Sequence, residues 1–367
     1  MKKQLVSVVS VFTLLVGAAQ AQQWHQMDTA ERIRSGMEVN MALIHRLKPV
    51  TPARPLPPAT ESDFTRKLTE EGQSFMRNAV SALVLDNGQL VFELYSQGGA
   101  PDAPANAYSM TKSLTSLAVG EALCAGKIKS LDDTAQTYVP ALEGTAYGKA
   151  TLKQLLTYTS GAEDPGGNGF IGIHNRLNYN AMVTHKRSLV SLIKAHGDTS
   201  RFKPGEKFFY NGLDSQTLSL VVRNATGVPL PAWFESTVWQ QAGAESPAAW
   251  FVDSEGNGNA EILFFATTRD FARIGQYVLE RLTDQAGNDC IRAYLKEASK
   301  PLVNKGYWPA APSWGYALHT GADGNTWMFG ANGQRVGINV AKKRVFVTTS
   351  NQNSDRTDVV GPGFLAR

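Results

Sequence analysis

The sequence predicts an α+β fold, and three features carry that expectation. Early in the chain, "AVSALVLDNGQLVFELYSQGG" alternates apolar residues on either side of Asp86-Asn87-Gly88, the pattern of a β-hairpin closed by a tight turn. From Ser109 to about Thr226 the pattern changes to helical segments separated by loops. The chain then closes with "SWGYALHT", "NTWMFGANG", "QRVGINVA" and "KRVFVTTSN", which read as successive short strands with turn residues between them. Hairpin, helical insertion and terminal strands together imply an antiparallel sheet assembled from both chain ends and flanked by helices. A functional site is expected at the seam.

Taken in order, the first residues form an export signal by pattern. Lys2 and Lys3 precede an apolar run from Leu5 to Val16, and Ala19-Gln20-Ala21 follows the small-residue cleavage rule. Residues 1–21 are therefore expected to be removed after Ala21, which places the mature chain in the periplasm or outside the cell. The run is too short to span a bilayer, and nothing downstream supplies the roughly 18 to 20 apolar residues a spanning helix needs. Residues 22–60 are expected to be an extension. It comprises a polar start, a short amphipathic helix around "AERIRSGMEVNMALIHRL" and a proline-rich strap or linker, "PVTPARPLPPATESD". The body is expected over 61–367. Within its helical insertion (about 109–260) lie a helix over 109–125 closed by Gly126, then "TLKQLLTYTSG", "RSLVSLIKAHG" and "LDSQTLSLVVRNATG". "TTRDFARIGQYVLERL" follows as one more amphipathic helix.

Composition narrows the function. The chain carries 36 Lys+Arg against 32 Asp+Glu, and loss of Lys2 and Lys3 leaves a nearly neutral mature protein of about 346 residues. No basic run or stripe is present, which argues against nucleic-acid binding and leaves a small molecule as the expected partner. The six histidines, at 25, 45, 174, 185, 196 and 319, have no metal-ligand spacing. There is no Gly-x-Ser-x-Gly elbow and no His-Glu-x-x-His helix. "GGNG" and "GNGN" neither follow a strand nor open a helix, so they cradle no phosphate, and no cofactor is implied. Two cysteines are too few for a disulfide framework. Cys124 reads as a small buried hydrophobe within its helix, with pairing to Cys290 left open.

The chemistry concentrates in "AYSMTKSLTSLAVGEALCAGK". Ser109 stands at a helix N-terminus, where it is either a cap or a nucleophile whose oxyanion meets free backbone N–H groups. Capping does not account for Lys112, one turn further on the same face, in a segment whose Met110, Leu114, Leu117 and Ala118 predict burial. A buried ammonium loses its proton or pairs with an anion, and either state helps deprotonate Ser109. Ser191 and Lys194 repeat the spacing, but inside "RSLVSLIKAHG" the serine is expected to lack free N–H groups.

Downstream, "FKPGEKFFYNGLDSQTLSLVVRNATG" sets Tyr210 in a turn before a helix, and "FGANGQRVGINVAKKRVFVTTSN" sets a glycine-bearing turn between late strands. With Ser109 and Lys112, these resemble the serine β-lactamase and penicillin-binding-protein superfamily, and within it the class C-like branch of esterases and 6-aminohexanoate-dimer hydrolases. "LLTYTSG", "TTRDFARIG" and "SWGYAL" resemble further family segments in the right order, over roughly residues 75–352. The resemblance implies a β-lactamase/transpeptidase-like fold and a serine hydrolase without a cofactor. It makes Ser109 the nucleophile, Lys112 the charge holder and proton shuttle, and Tyr210 the partner base, with a phenolate made accessible by the lysine. The third motif aligns on Ala331-Asn332-Gly333, so that the N–H groups of Ser109 and Gln334 form the oxyanion hole, and Gly212, Asn332 and Gly333 line the substrate. "HTG" at 319–321 matches that motif by letter, but His319 lies one strand too early.

Two departures bear on substrate. Tyr210-Asn211-Gly212 stands where the penicillin-recognising members carry Tyr-x-Asn, and Ala331 stands where they carry a cationic side chain. Both losses favour a carboxylic ester or small amide over a β-lactam or D-alanyl-D-alanine peptide. Outside hydrolysis, the rival expectation is a binding protein that keeps the fold without turnover.

Overall fold

The computed structural model describes residues 43–75, 79–163, 188–283, 289–306 and 311–350. The expected export signal, most of the helix expected around residues 30–47 and most of the "EDPGGNGFIGIHNRLNYN" loop lie outside them. The described end of that expected helix is a strand instead: β1 (Ile44–Leu47) pairs antiparallel with the later segment Ala248–Phe251. Four residues are too few for periodicity to separate helix from strand, and an unpaired sheet edge decides the matter. The proline-rich strap is tied down at both ends. Val50 and Arg54 donate their N–H groups to the Ala244 and Gly243 carbonyls at 2.8 Å each, and Leu90 donates to Pro57 at 2.8 Å.

Helix α1 (Asp63–Phe75) precedes the hairpin of β2 (Ser81–Asp86) and β3 (Gln89–Tyr95). Its two-residue turn holds Asn87 at φ 51° and Gly88 at φ 79°, the left-handed pair for which Asn-Gly is the favoured sequence. After β4 (Pro104–Asn106) the helical region contains α2 (Met110–Cys124), α3 (Leu152–Thr157), α4 (Leu189–His196) and α5 (Gly212–Thr226). Strands β5 (Ala248–Phe251) and β6 (Phe264–Thr267) lead into α6 (Thr268–Leu282) and α7 (Asp289–Ala298). The chain then runs through β7 (Val303–Asn304), β8 (Ser313–Trp314), β9 (His319–Thr320), β10 (Thr326–Gly330), β11 (Gln334–Asn339) and β12 (Arg344–Thr349).

The large sheet has the order β3-β2-β12-β11-β10-β9-β8-β7, antiparallel throughout, so the early hairpin and the terminal strands meet where β2 pairs with β12. "SWGYALHT" is not one strand. It folds as the short hairpin β8-β9, with Ala317 at φ 51° in the reversal. A second sheet, β1-β5-β6-β4, was not anticipated. Its short strands sit within sequence that reads as loop and helix flank.

Helix α6 covers one face of the large sheet through Gly275, where an added Cβ would lie 2.5 Å from Val345 and 3.0 Å from Val336. Leu68 and Phe64 of α1 pack with Phe92, Trp327 and Phe346 on the other face. Helix α2 is buried on all sides, and two of its serines bond to carbonyls of the segment between β8 and β9. Ser113 donates to the Ala317 carbonyl at 2.6 Å and Ser116 to that of Tyr316 at 2.7 Å. Cys124 is not merely a buried hydrophobe. It forms a disulfide with Cys290, Cα–Cα 5.6 Å, which ties the end of α2 to the start of α7.

Candidate active site

Between Ala103 and Ala122, Ser109 is the one residue that is not buried. The chain leaves β4 through Asn106, whose Oδ1 accepts the N–H of Tyr108 at 2.9 Å, and Tyr108 takes φ 46°. A tyrosine in the left-handed region is costly and persists where surroundings fix it. Here Asn332 Nδ2 also donates to Tyr108 Oη at 3.1 Å. The result is a sharp entry that turns Ser109 outward at the N-terminus of α2. Its side chain makes no capping hydrogen bond, so the capping explanation fails.

Ser109 Oγ instead meets the two other residues singled out in the sequence. Tyr210 donates to it at 2.9 Å, and Lys112 Nζ lies at 3.2 Å. Tyr210 is held by Asn211, which caps α5 by accepting the Leu213 N–H at 3.0 Å and anchors itself by donating to Tyr147 Oη at 2.8 Å. Tyr158 and Trp314 wall the Tyr210 ring at centroid distances of 5.3 and 5.9 Å.

Sequence reasoning missed the acid of this site. Glu261, ahead of β6, brings Oε1 to 3.6 Å from Lys112 Nζ, and its main-chain carbonyl accepts from the same nitrogen at 3.1 Å. Both side chains are buried, at 1 and 3 % exposure, so this is a buried ion pair rather than a surface one. Asn259 Oδ1 fixes the segment by accepting the N–H groups of Glu261 and Ile262, and Gln216 of α5 accepts that of Ala260. A Cβ at Gly212 would overlap the Glu261 carboxylate. The glycine that replaces the family's asparagine was therefore the available signal: it makes room for a carboxylate.

Burial pulls the Lys112 ammonium down to about 8, against the Glu261 carboxylate, which favours the charged form. Burial pushes the Tyr210 phenol above its ordinary range, Glu261 adds to that rise, and the hydrogen bond with Ser109 opposes it. Lys112 thus gives up its proton at a lower pH than Tyr210 does, the reverse of the expected accessible phenolate.

The third motif differs from its expected form. Ala331–Gly333 is a turn between β10 and β11, with Asn332 at φ 60° and Gly333 at φ 86°. The Gln334 N–H closes that turn on the Ala331 carbonyl, so it is not free to meet an oxyanion. Gln334 points its side chain to the Ser350 carbonyl at 2.5 Å. Gly330 presses on the backbone before Ser109: a Cβ there would overlap the Ala107 carbonyl and touch Tyr108. His319 lies one strand away from that turn. Its ring sits against Trp314 and Phe329 at 4.6 and 4.7 Å, and Nδ1 lies 2.8 Å from Lys305 Nζ. Ser191 is in the first turn of α4, not in its interior, but the Ser188 cap takes its N–H, its Oγ donates to the Ser188 carbonyl, and both it and Lys194 face solvent.

The sequence model of the family described as Beta-lactamase matches residues 64–366. The chain belongs to the beta-lactamase family. This beta-lactamase-family chain is 24 % identical over 339 residues to the 6-aminohexanoate-dimer hydrolase of Paenarthrobacter ureafaciens, covering 87 % of the chain and 84 % of that protein. Among solved structures it matches a putative 6-aminohexanoate-dimer hydrolase from Bacillus anthracis at TM-score 0.75 and 23 % identity, over 94 % and 95 % of the two chains. It also matches EstCE1, described as a hydrolase with promiscuous acyltransferase activity, at TM-score 0.66 and 16 % identity, over 83 % and 98 %. The fold is β-lactamase/transpeptidase-like, and the protein is a serine hydrolase of the beta-lactamase family.

Proposed function

We propose that this hydrolase is exported and cleaves a carboxylic ester or small amide through an acyl-enzyme on Ser109. The observation that carries the reading is the side chain of the partly buried Ser109, which makes no capping bond and whose Oγ lies within hydrogen-bond reach of both Lys112 and Tyr210. The neutral Lys112 amine takes the Ser109 proton as Oγ bonds the substrate carbonyl carbon. Tyr210, hydrogen-bonded to the same oxygen, passes its proton to the leaving alcohol or amine as the bond to the acyl carbon breaks, and takes in return the proton that Lys112 received from Ser109. Water then attacks the acyl-enzyme by the reverse route, giving the acid and restoring Ser109.

The N–H of Ser109 supplies one oxyanion donor. With the Gln334 N–H engaged, the strand-side donor is assigned to Ala331, the exposed residue after Gly330. The substrate class rests on two positions: Ala331 offers no cation to a carboxylate, and Gly212 gives its space to Glu261 in place of a neutral amide. Export is supported by the leader-like N-terminus and the Cys124–Cys290 disulfide, which suits an oxidising compartment.

The test is a substrate panel of p-nitrophenyl esters, linear ω-amino amides and a chromogenic cephalosporin. The reading expects turnover of esters or linear amides that Ser109→Ala abolishes. A cephalosporin as the preferred substrate, or turnover that survives Ser109→Ala, contradicts it.

A further inference from the structure

The pocket around Lys112 contains an acid that the three-residue mechanism does not use. Glu261 reaches Lys112 twice, by carboxylate at 3.6 Å and by main-chain carbonyl at 3.1 Å, and its carboxylate occupies the space opened by Gly212. With Ser109 Oγ at 3.2 Å, Nζ is fixed from two directions above the Tyr210 ring, whose centroid is 5.1 Å away. We propose that Glu261 is a positioning residue for the reaction, one that aims Lys112 Nζ at Ser109 Oγ and balances the charge that forms on Lys112 when it takes the Ser109 proton. This rests on the reading of Ser109 as nucleophile and Lys112 as its base.

The groups facing Lys112 support an assignment to Glu261 in particular. Ser109 comes from α2 itself and Tyr210 from the segment ahead of α5, while behind them stand Tyr158 and Asp214, the latter accepting from Ser160 at 2.7 Å. From β9 comes His319, with Lys305 and Arg335 beyond it. Burial keeps that imidazole neutral, and the charges on Lys305, Arg335 and Lys112 push the same way, although burial pulls Lys305 itself down to about 7, so β9 supplies no negative charge to Lys112. Among the described residues Glu261 is the acid within ion-pair distance of Lys112, and it is the group that favours charged Lys112 against burial. An opposite charge at such range moves an ionisation by about 1–3 pH units.

The experiment measures the rate of Ser109 modification by a fluorophosphonate against pH, with the modified peptide identified by mass spectrometry, for wild type, Glu261→Gln, Glu261→Asp and Gly212→Ala. Glu261→Gln keeps the shape and loses the charge, so its midpoint is expected at least about one pH unit below that of wild type, with a lower plateau. Glu261→Asp is expected to return the midpoint toward wild type. Gly212→Ala pushes the carboxylate aside without changing residue 261, so it is expected to lower the midpoint as well and keeps the test open if Glu261→Gln does not fold. A midpoint unchanged in Glu261→Gln, or in Gly212→Ala where only that variant folds, overturns the role of Glu261 while leaving Ser109 labelling intact. Absence of labelling at Ser109 in wild type overturns the proposed function and this inference with it.

Discussion

Lys112 and Tyr210 both reach Ser109 Oγ, and their ionisations decide which of them acts as the base. Burial pulls Lys112 down to about 8 and pushes Tyr210 above the ordinary phenol range, so the base proposed for acylation is the neutral amine. Its population falls tenfold for each pH unit below that midpoint. Acylation is therefore expected to rise with pH, level off above about pH 8, and show no second rise in the phenol range. Stopped-flow acylation by a p-nitrophenyl ester measures this directly. Tyr210→Phe should slow acylation by about 10²–10⁴-fold, the usual worth of a positioned proton donor, while leaving the midpoint in place. A midpoint that disappears with the phenol would make Tyr210 the titrating base. Ser109, Lys112 and Tyr210 were legible in the sequence because helix geometry fixes the first two and a turn before a helix marks the third. Glu261 was not, because it meets Lys112 across 149 positions of sequence and only a missing side chain at Gly212 hinted at it.

At the scale of elements, local signals worked where the element is decided locally. The Asn87-Gly88 hairpin, the Thr267-capped α6 and the Gly227-terminated α5 all follow their sequence punctuation. They failed where the neighbour decides. β1 is a strand because β5 offers it an edge, and "SWGYALHT" bends because β9 must return along β8 to reach β10. Helix α6 meets the sheet through Gly275, with Val345 and Val336 at the distance where a methyl group has no room. Gly275→Leu is accordingly expected to destabilise the protein by about 1–3 kcal/mol or more through overpacking, against the small gain in helix propensity. Urea denaturation measures it, and an unchanged midpoint would show that the helix stands further from the sheet than described.

At the scale of the whole molecule, the chain ends were readable as one sheet because both are strand-patterned and the middle is helical. The second sheet was not, since strands of three or four residues carry no periodicity of their own. Helix α2, which Ser109 precedes and which carries Lys112, is stapled to α7 by Cys124–Cys290. Replacing Cys290 by serine, or reducing the bond, is expected to cost about 2–4 kcal/mol of stability, read from denaturation with and without dithiothreitol. Equal stability in both conditions would mean that the two cysteines are not paired in solution. The central claim, an acyl-enzyme on Ser109, is tested most directly by intact mass after exposure to a fluorophosphonate, comparing wild type with Ser109→Ala and Ser191→Ala. A single adduct on wild type and Ser191→Ala, lost in Ser109→Ala, is the predicted result. No adduct on wild type, or one that survives Ser109→Ala, would contradict the mechanism.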